Sequence, residues 1–158
     1  MQYEIPKKVE TFGVDIQKHE LKYHHKRIAV TKEFTFDAAH HLHCYDGKCK
    51  SLHGHTYKLV VTMSGFVNDI GISVDFSDIK RMFNDVIKDK LDHRYLNDVL
   101  PNMNTTAENM IVWIWEQLDE KLVAEGLKAI GTRLEELVLY ETPTSYASIK
   151  REWMEADE

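Results

Sequence analysis

The hydrophobic pattern changes period twice along this chain, and that constrains the fold more than any other feature. From Ile28 to His40 residues alternate, so Ile28, Val30, Phe34, Phe36, Ala38 and His40 share one face of a strand, with Lys32 interrupting it near the start. Alternation returns from His53 to Gly65, with His53, His55, Tyr57, Leu59, Val61 and Met63 on one side. The period then lengthens: Phe76, Ile79, Phe83, Val86, Ile87 and Leu91 recur at helical spacing. A second helix is expected from about Thr106 to Glu125, burying Ile111, Ile114, Trp115, Leu118 and Leu122. Thr105 and Glu108 have the spacing of a capping box at its start, and Gly126 suits its end. Two more strands are expected near Leu134 to Glu141 and Tyr146 to Glu152, with Pro143 breaking the pairing between them. The order strand, strand, helix, helix, strand, strand predicts an α+β domain: an antiparallel sheet with both helices on one face.

This alternating and helical pattern occupies residues 28–158 as one domain, a length that can bury a real core. Residues 1–27 are polar, weakly periodic and read as an N-terminal arm without the apolar region of a signal peptide. No apolar run is long enough for a transmembrane helix, so no membrane is expected and the cytoplasm is the expected compartment. The net charge of −6 argues against nucleic acid as a partner, while a local basic pocket for a small anion remains compatible with it. The two cysteines, Cys44 and Cys49, are close in sequence, and a free thiol or a ligand is expected rather than a disulfide.

The strongest local signal is His53-Gly54-His55. On a strand, positions i and i+2 point the same way, so two imidazoles converge above the sheet. His40 ends the other strand on the face expected to be shared, and pairing of the two strands would bring three imidazoles together. Three histidines with an open fourth position suit a catalytic zinc ion, although residue type alone leaves iron and nickel open. His41 is expected to point away, His43 and Cys44 to sit in an exposed loop, and His19, His24 and His25 to be arm residues without a role in the site.

Cys49 lies four residues before His53, between Lys48 and Lys50, where it could act as a general base or nucleophile. Asp92-His93 follows the first helix as a possible proton-transfer pair, or as an ordinary helix-end pair. Glu141 shares a strand face with Leu137 and Leu139, so its carboxylate needs a donor. Either a ligand with two parallel N–H groups or a basic side chain would serve.

These segments resemble one family. Phe36-Asp37-Ala38-Ala39-His40, Gly47-Lys48-Cys49, Leu52 to Tyr57, Leu91 to Asn97, Thr106-Ala107-Glu108-Asn109 and Glu141 to Ser145 match, in order, the motifs of the 6-pyruvoyltetrahydropterin synthase family. The bacterial branch that makes 6-carboxytetrahydropterin for queuosine and other deazapurines is the most similar. The resemblance implies the tunnelling fold, a four-stranded antiparallel sheet with two helices on one side. It implies a homohexamer built as a dimer of trimers, with active sites between subunits. Zinc would be held by His40, His53 and His55. Cys49 would be the base, with Asp92 and His93 completing its relay, and Glu141 would anchor the pterin ring beside Thr106. The implied substrate is 7,8-dihydroneopterin triphosphate, and the implied products are 6-carboxytetrahydropterin, triphosphate and acetaldehyde. Thr105 departs from the family, which more often has proline there, and the arm is longer than the motifs require.

Rival readings are a synthase that stops at 6-pyruvoyltetrahydropterin, a side-chain-cleaving variant toward folate, and a non-catalytic pterin carrier. Cys49 argues against variants with glutamate at that position, and a carrier has no need of a proton relay. A zinc hydrolase of the His-Glu-x-x-His type is excluded by the absence of that motif.

Overall fold

The computed structural model describes Val14 and residues 16–156. Most of the expected N-terminal arm, residues 1–13 and 15, therefore lies outside the described residues, as do the last two residues of the expected domain. Strand β1 (Arg27–His40) and strand β2 (His53–Phe66) pair antiparallel along their full length, Arg27 opposite Phe66 and His40 opposite His53. Helix α1 starts at Phe76–Phe83, passes through a π turn at Asn84–Lys88 and closes at Asp89–Leu91. Strand β3 (Arg94–Tyr95), helix α2 (Leu96–Val99) and the long helix α3 (Ala107–Ala124) follow. Strands β4 (Arg133–Thr142) and β5 (Ser145–Lys150) form a hairpin, and helix α4 (Arg151–Glu155) ends the described chain.

The sheet order is β3-β1-β2-β4-β5. Four strands are antiparallel neighbours as expected, but β3 adds a fifth, parallel to β1 through Ala38–Arg94 and Ala39–Tyr95, so the sheet is mixed. Two residues carry no readable alternation, which is why this strand is invisible in the sequence. It forms because His93 adopts φ 58 and turns the chain alongside β1, its N–H donating to the Asp37 carbonyl at 2.6 Å.

One face of the sheet forms the core. Leu59, Val61, Met63, Leu137 and Leu139 are fully buried against Ile79, Met82 and Ile87 of α1 and Met110, Ile114 and Leu122 of α3. Each such side chain contributes about 1.5–3 kcal/mol by leaving water. Phe76, expected on the buried stripe of α1, is instead 51% exposed at the first position of the helix. The opposite face is polar, carrying Thr31, Asp37 and Thr56, and Thr31 bonds Thr62 across it at 2.8 Å. No described helix is long and apolar enough to cross a membrane.

Two local expectations are corrected. Pro143 does not break the β4–β5 pairing: Thr142 pairs with Ser145 around a two-residue turn, where a missing N–H costs nothing. Helix α3 is capped by Thr106 rather than Thr105, the Thr106 hydroxyl accepting from the Asn109 N–H at 3.2 Å. Its other end closes as a Schellman motif, with Gly126 at φ 73 and Leu127 N–H bonded to the Leu122 carbonyl at 3.0 Å. Thr106→Ala should therefore cost about 1 kcal/mol, read as a fall in Tm of roughly 2–4 °C in a calorimetric scan.

Candidate metal and pterin site

The β1–β2 register builds the centre of the site. His40 and His53 are direct cross-strand partners, and His55 lies two residues further along the same face, opposite Ala38. Their ligand nitrogens all lie within 4.8 Å of one another. His40 is 1% exposed, and its Nδ1–H donates to the Thr105 carbonyl at 2.8 Å, with the Thr105 hydroxyl at 3.1 Å. The Nδ1–H of His53 donates to the Ser51 carbonyl at 2.7 Å.

These two bonds decide the chemistry of the pocket. A carbonyl only accepts, so each Nδ1 carries a proton, and in the neutral form of either ring the lone pair lies at Nε2. The two Nε2 atoms face each other at 3.0 Å. Two lone pairs at that distance repel unless a proton or a cation lies between them. His55 Nε2 is buried without a hydrogen-bond partner, and burial holds its imidazole below the ordinary pKa, with Glu141 opposing. A metal ion is held by imidazoles whose far nitrogen is anchored, as Nδ1 is in His40 and His53, and whose near nitrogen is free, as Nε2 is in His55. The donor set therefore fits a cation held by His40, His53 and His55.

Glu141 arrives from β4. Tyr140 pairs with Tyr146 and Thr142 with Ser145, leaving Glu141 as the extra residue of a β-bulge. Its Oε1 stands 3.3 Å from His40 Nε2 and 3.6 Å from His55 Nε2. A proton on His40 Nε2 would be shared with this oxygen, and that hydrogen bond holds the Glu141 carboxyl below the usual range, against the opposing effect of burial. No lysine or arginine pairs with it among the described residues, so the basic side chain that the sequence left open is not its partner. Beside it, His55, Lys58, Tyr140, Glu141 and Pro143 line a cleft of ≈ 410 Å³, with the Lys58 ammonium 4.2 Å from the centre of the Tyr140 ring. Tyr57 packs beneath the histidines with its hydroxyl buried and unpartnered, and burial raises its pKa so that it stays neutral.

Cys49 is a half-buried free thiol in a 3-10 turn at Lys48–Lys50, and its carbonyl accepts the Leu42 N–H at 2.9 Å. Asp92 and His93 form a pair, His93 Nδ1 to Asp92 Oδ2 at 3.0 Å, but they belong to a second group. They gather with Asp37 beyond the edge of β1, where Asp92 Oδ1 accepts the Asp37 N–H at 2.9 Å. That bond, burial opposing and His93 assisting, lowers the Asp92 pKa. The strand alternation puts Asp37 on the open face and His40 on the core face, so one chain holds the two groups on different sides of its sheet.

His43 and Cys44 are exposed as expected, and His41 turns from the cluster to stack on Tyr95 with ring centres 5.9 Å apart. Sequence reasoning missed Thr105, which is fully buried against His40. Two threonines in tandem precede α3, and the cap was assigned to the wrong one.

Comparison with known proteins agrees with this geometry. A family model described as 6-pyruvoyl tetrahydropterin synthase matches residues 29–152. The 6-carboxy-5,6,7,8-tetrahydropterin synthase of Haemophilus influenzae is 36% identical over 143 residues, covering 74% of this chain and 94% of that protein. The 6-pyruvoyl tetrahydrobiopterin synthase of Pongo abelii is 30% identical over 139 residues, covering 78% of this chain and 91% of that one. Among solved structures, the 6-pyruvoyl tetrahydropterin synthase of Caenorhabditis elegans superposes with a TM-score of 0.66 at 25% identity, covering 81% of this chain and 98% of that one. A match that spans both histidine strands, both long helices and the Glu141 hairpin leaves one assignment: the chain belongs to the 6-pyruvoyl tetrahydropterin synthase family.

Proposed function

We propose that the protein is a 6-carboxy-5,6,7,8-tetrahydropterin synthase, converting 7,8-dihydroneopterin triphosphate and one water to 6-carboxytetrahydropterin, triphosphate and acetaldehyde. The observation that carries this reading is the Glu141 carboxylate leaning against two of the three clustered imidazoles, those of His40 and His55, beside an open cleft. A carboxylate with no lysine or arginine partner among the described residues suits the paired N–H donors of a pterin edge. The similarity to the Haemophilus influenzae protein, and to a Synechocystis protein of the same name at 38% identity over 96 residues, supports the carboxy-forming branch.

In this reading His40, His53 and His55 hold zinc, which when bound supplies Lewis-acid polarisation of a substrate side-chain oxygen. Glu141 orients the ring, and the Thr106 hydroxyl, whose oxygen already caps α3, keeps its proton to donate to the substrate. Cys49 takes the side-chain proton as general base. Asp92 fixes the Nδ1 side of His93 and leaves the other nitrogen of this exposed ring to move protons. The ring gains its reducing equivalents from the side chain, so no redox cofactor enters. Since Asp92 and His93 lie beyond the β1 edge, away from the zinc face of their own chain, the relay of one copy serves the zinc site of another. A homohexamer of two trimers with sites between subunits accommodates that. Residues 28–158 form the synthase domain, and the enzyme works in the cytoplasm in queuosine biosynthesis.

Mass spectrometry of the zinc-loaded protein incubated with 7,8-dihydroneopterin triphosphate is the test. 6-Carboxytetrahydropterin with acetaldehyde is the expected result. Accumulation of 6-pyruvoyltetrahydropterin alone would move the protein to the other branch of the family, and absence of turnover would sink the enzyme reading.

A further inference from the structure

The loop between the two histidine strands, residues 41–52, carries Cys49 and is held by a pair of asparagines. Asn97, from α2, accepts the His41 N–H at its Oδ1 and donates its Nδ2 to the His41 carbonyl, both at 3.1 Å. Asn104, just before α3, does the same for His43, at 2.7 Å and 2.9 Å. A primary amide carries an acceptor and a donor side by side, so each asparagine imitates a neighbouring strand and pairs one loop residue on both its groups. Leu42 stands between the two paired residues, and its N–H donates to the Cys49 carbonyl at 2.9 Å. The clamp is itself anchored. Asn109 Nδ2 bonds the Asn104 carbonyl at 3.0 Å, tying it to the first turn of α3, and Asn97 follows the fully buried Leu96.

We infer that Asn97 and Asn104 are positioning residues that set Cys49 relative to the zinc ligands. Residues 41 and 43 are fixed, Leu42 between them cannot shift, and the peptide of Cys49 is registered on Leu42. The inference rests on Cys49 being the base of the proposed reaction, whereas the clamp geometry does not.

Asn104→Asp is the discriminating variant, because it keeps the acceptor for the His43 N–H and sets a second anionic oxygen against the His43 carbonyl. Zinc content and Tm should hold, and amide exchange of residues 41–49, followed by mass spectrometry, should rise about tenfold. Turnover should fall by roughly 10–100-fold in kcat, the scale of a small misplacement of a catalytic group, with KM within about twofold. In a Cys49→Ser background the same substitution should lower residual turnover no further, since both changes act through one group. Unchanged exchange in Asn104→Asp, an equal loss in both backgrounds, or a fall in kcat accompanied by loss of zinc or of Tm would each overturn the clamp. A Cys49→Ser enzyme as fast as the parent would instead remove the proposed role of Cys49, and the exchange result would still judge the clamp.

Discussion

If Cys49 is the base of the proposed reaction, Cys49→Ala should lower kcat by about 10²–10⁴-fold, the usual contribution of a positioned general acid or base, and should leave the zinc content of the protein unchanged. The size of the effect follows from the lack of a substitute. In the proposed function His40, His53 and His55 would be committed to the ion and Glu141 to the ring, while burial keeps the Tyr57 phenol neutral. The fold survives the change, because the turn at Lys48–Lys50 is held by its backbone bonds and not by the thiol. Cys44→Ala is the internal control: Cys44 is exposed, and its loss should leave kcat unchanged. Steady-state kinetics with metal analysis on the same samples decides the matter. An active Cys49→Ala enzyme would mean that another group takes the proton.

The second large effect concerns the ion. His53→Ala should abolish stoichiometric zinc, measured by plasma mass spectrometry after dialysis, and activity should fall to background with it. His53 serves better than His40 because it is only partly buried, so its removal leaves a smaller void. Glu141→Gln separates ligand from anchor. The amide should retain one zinc per chain and raise KM by about 10–100-fold, the loss of a hydrogen bond to a charged group worth roughly 1.5–3 kcal/mol. Zinc lost from Glu141→Gln would make the carboxylate a fourth ligand and close the position a substrate needs.

What could be read beforehand was whatever repeats. Fourteen residues in β1 and fourteen in β2 give alternation ample room to declare itself, and the same alternation put His40, His53 and His55 on one face. The stripe from Ile111 to Leu122 is equally plain, and all five residues named on it are buried. The failures are events of one or two residues. The fifth strand has two residues, the helix cap moved by one threonine, and the Glu141 bulge inserts one residue into a ladder. None of these alters a period, so none leaves a trace in a pattern. The same applies to the relay: Asp92 and His93 are conspicuous as residues, but the side of the sheet they occupy depends on the φ of His93 and on a strand too short to see.

The opposed imidazoles have a consequence for how the pocket behaves in solution. His40 and His53 each spend Nδ1–H on a backbone carbonyl, so the only basic sites left are the two Nε2 atoms 3.0 Å apart. Hydrogen ions and a divalent cation compete for the same electron pairs. A cation bound there would expel whatever protons are present, and acidification would work in reverse. Any metal affinity of this centre would therefore vary with acidity, through two carbonyl oxygens that lie outside the ligand set.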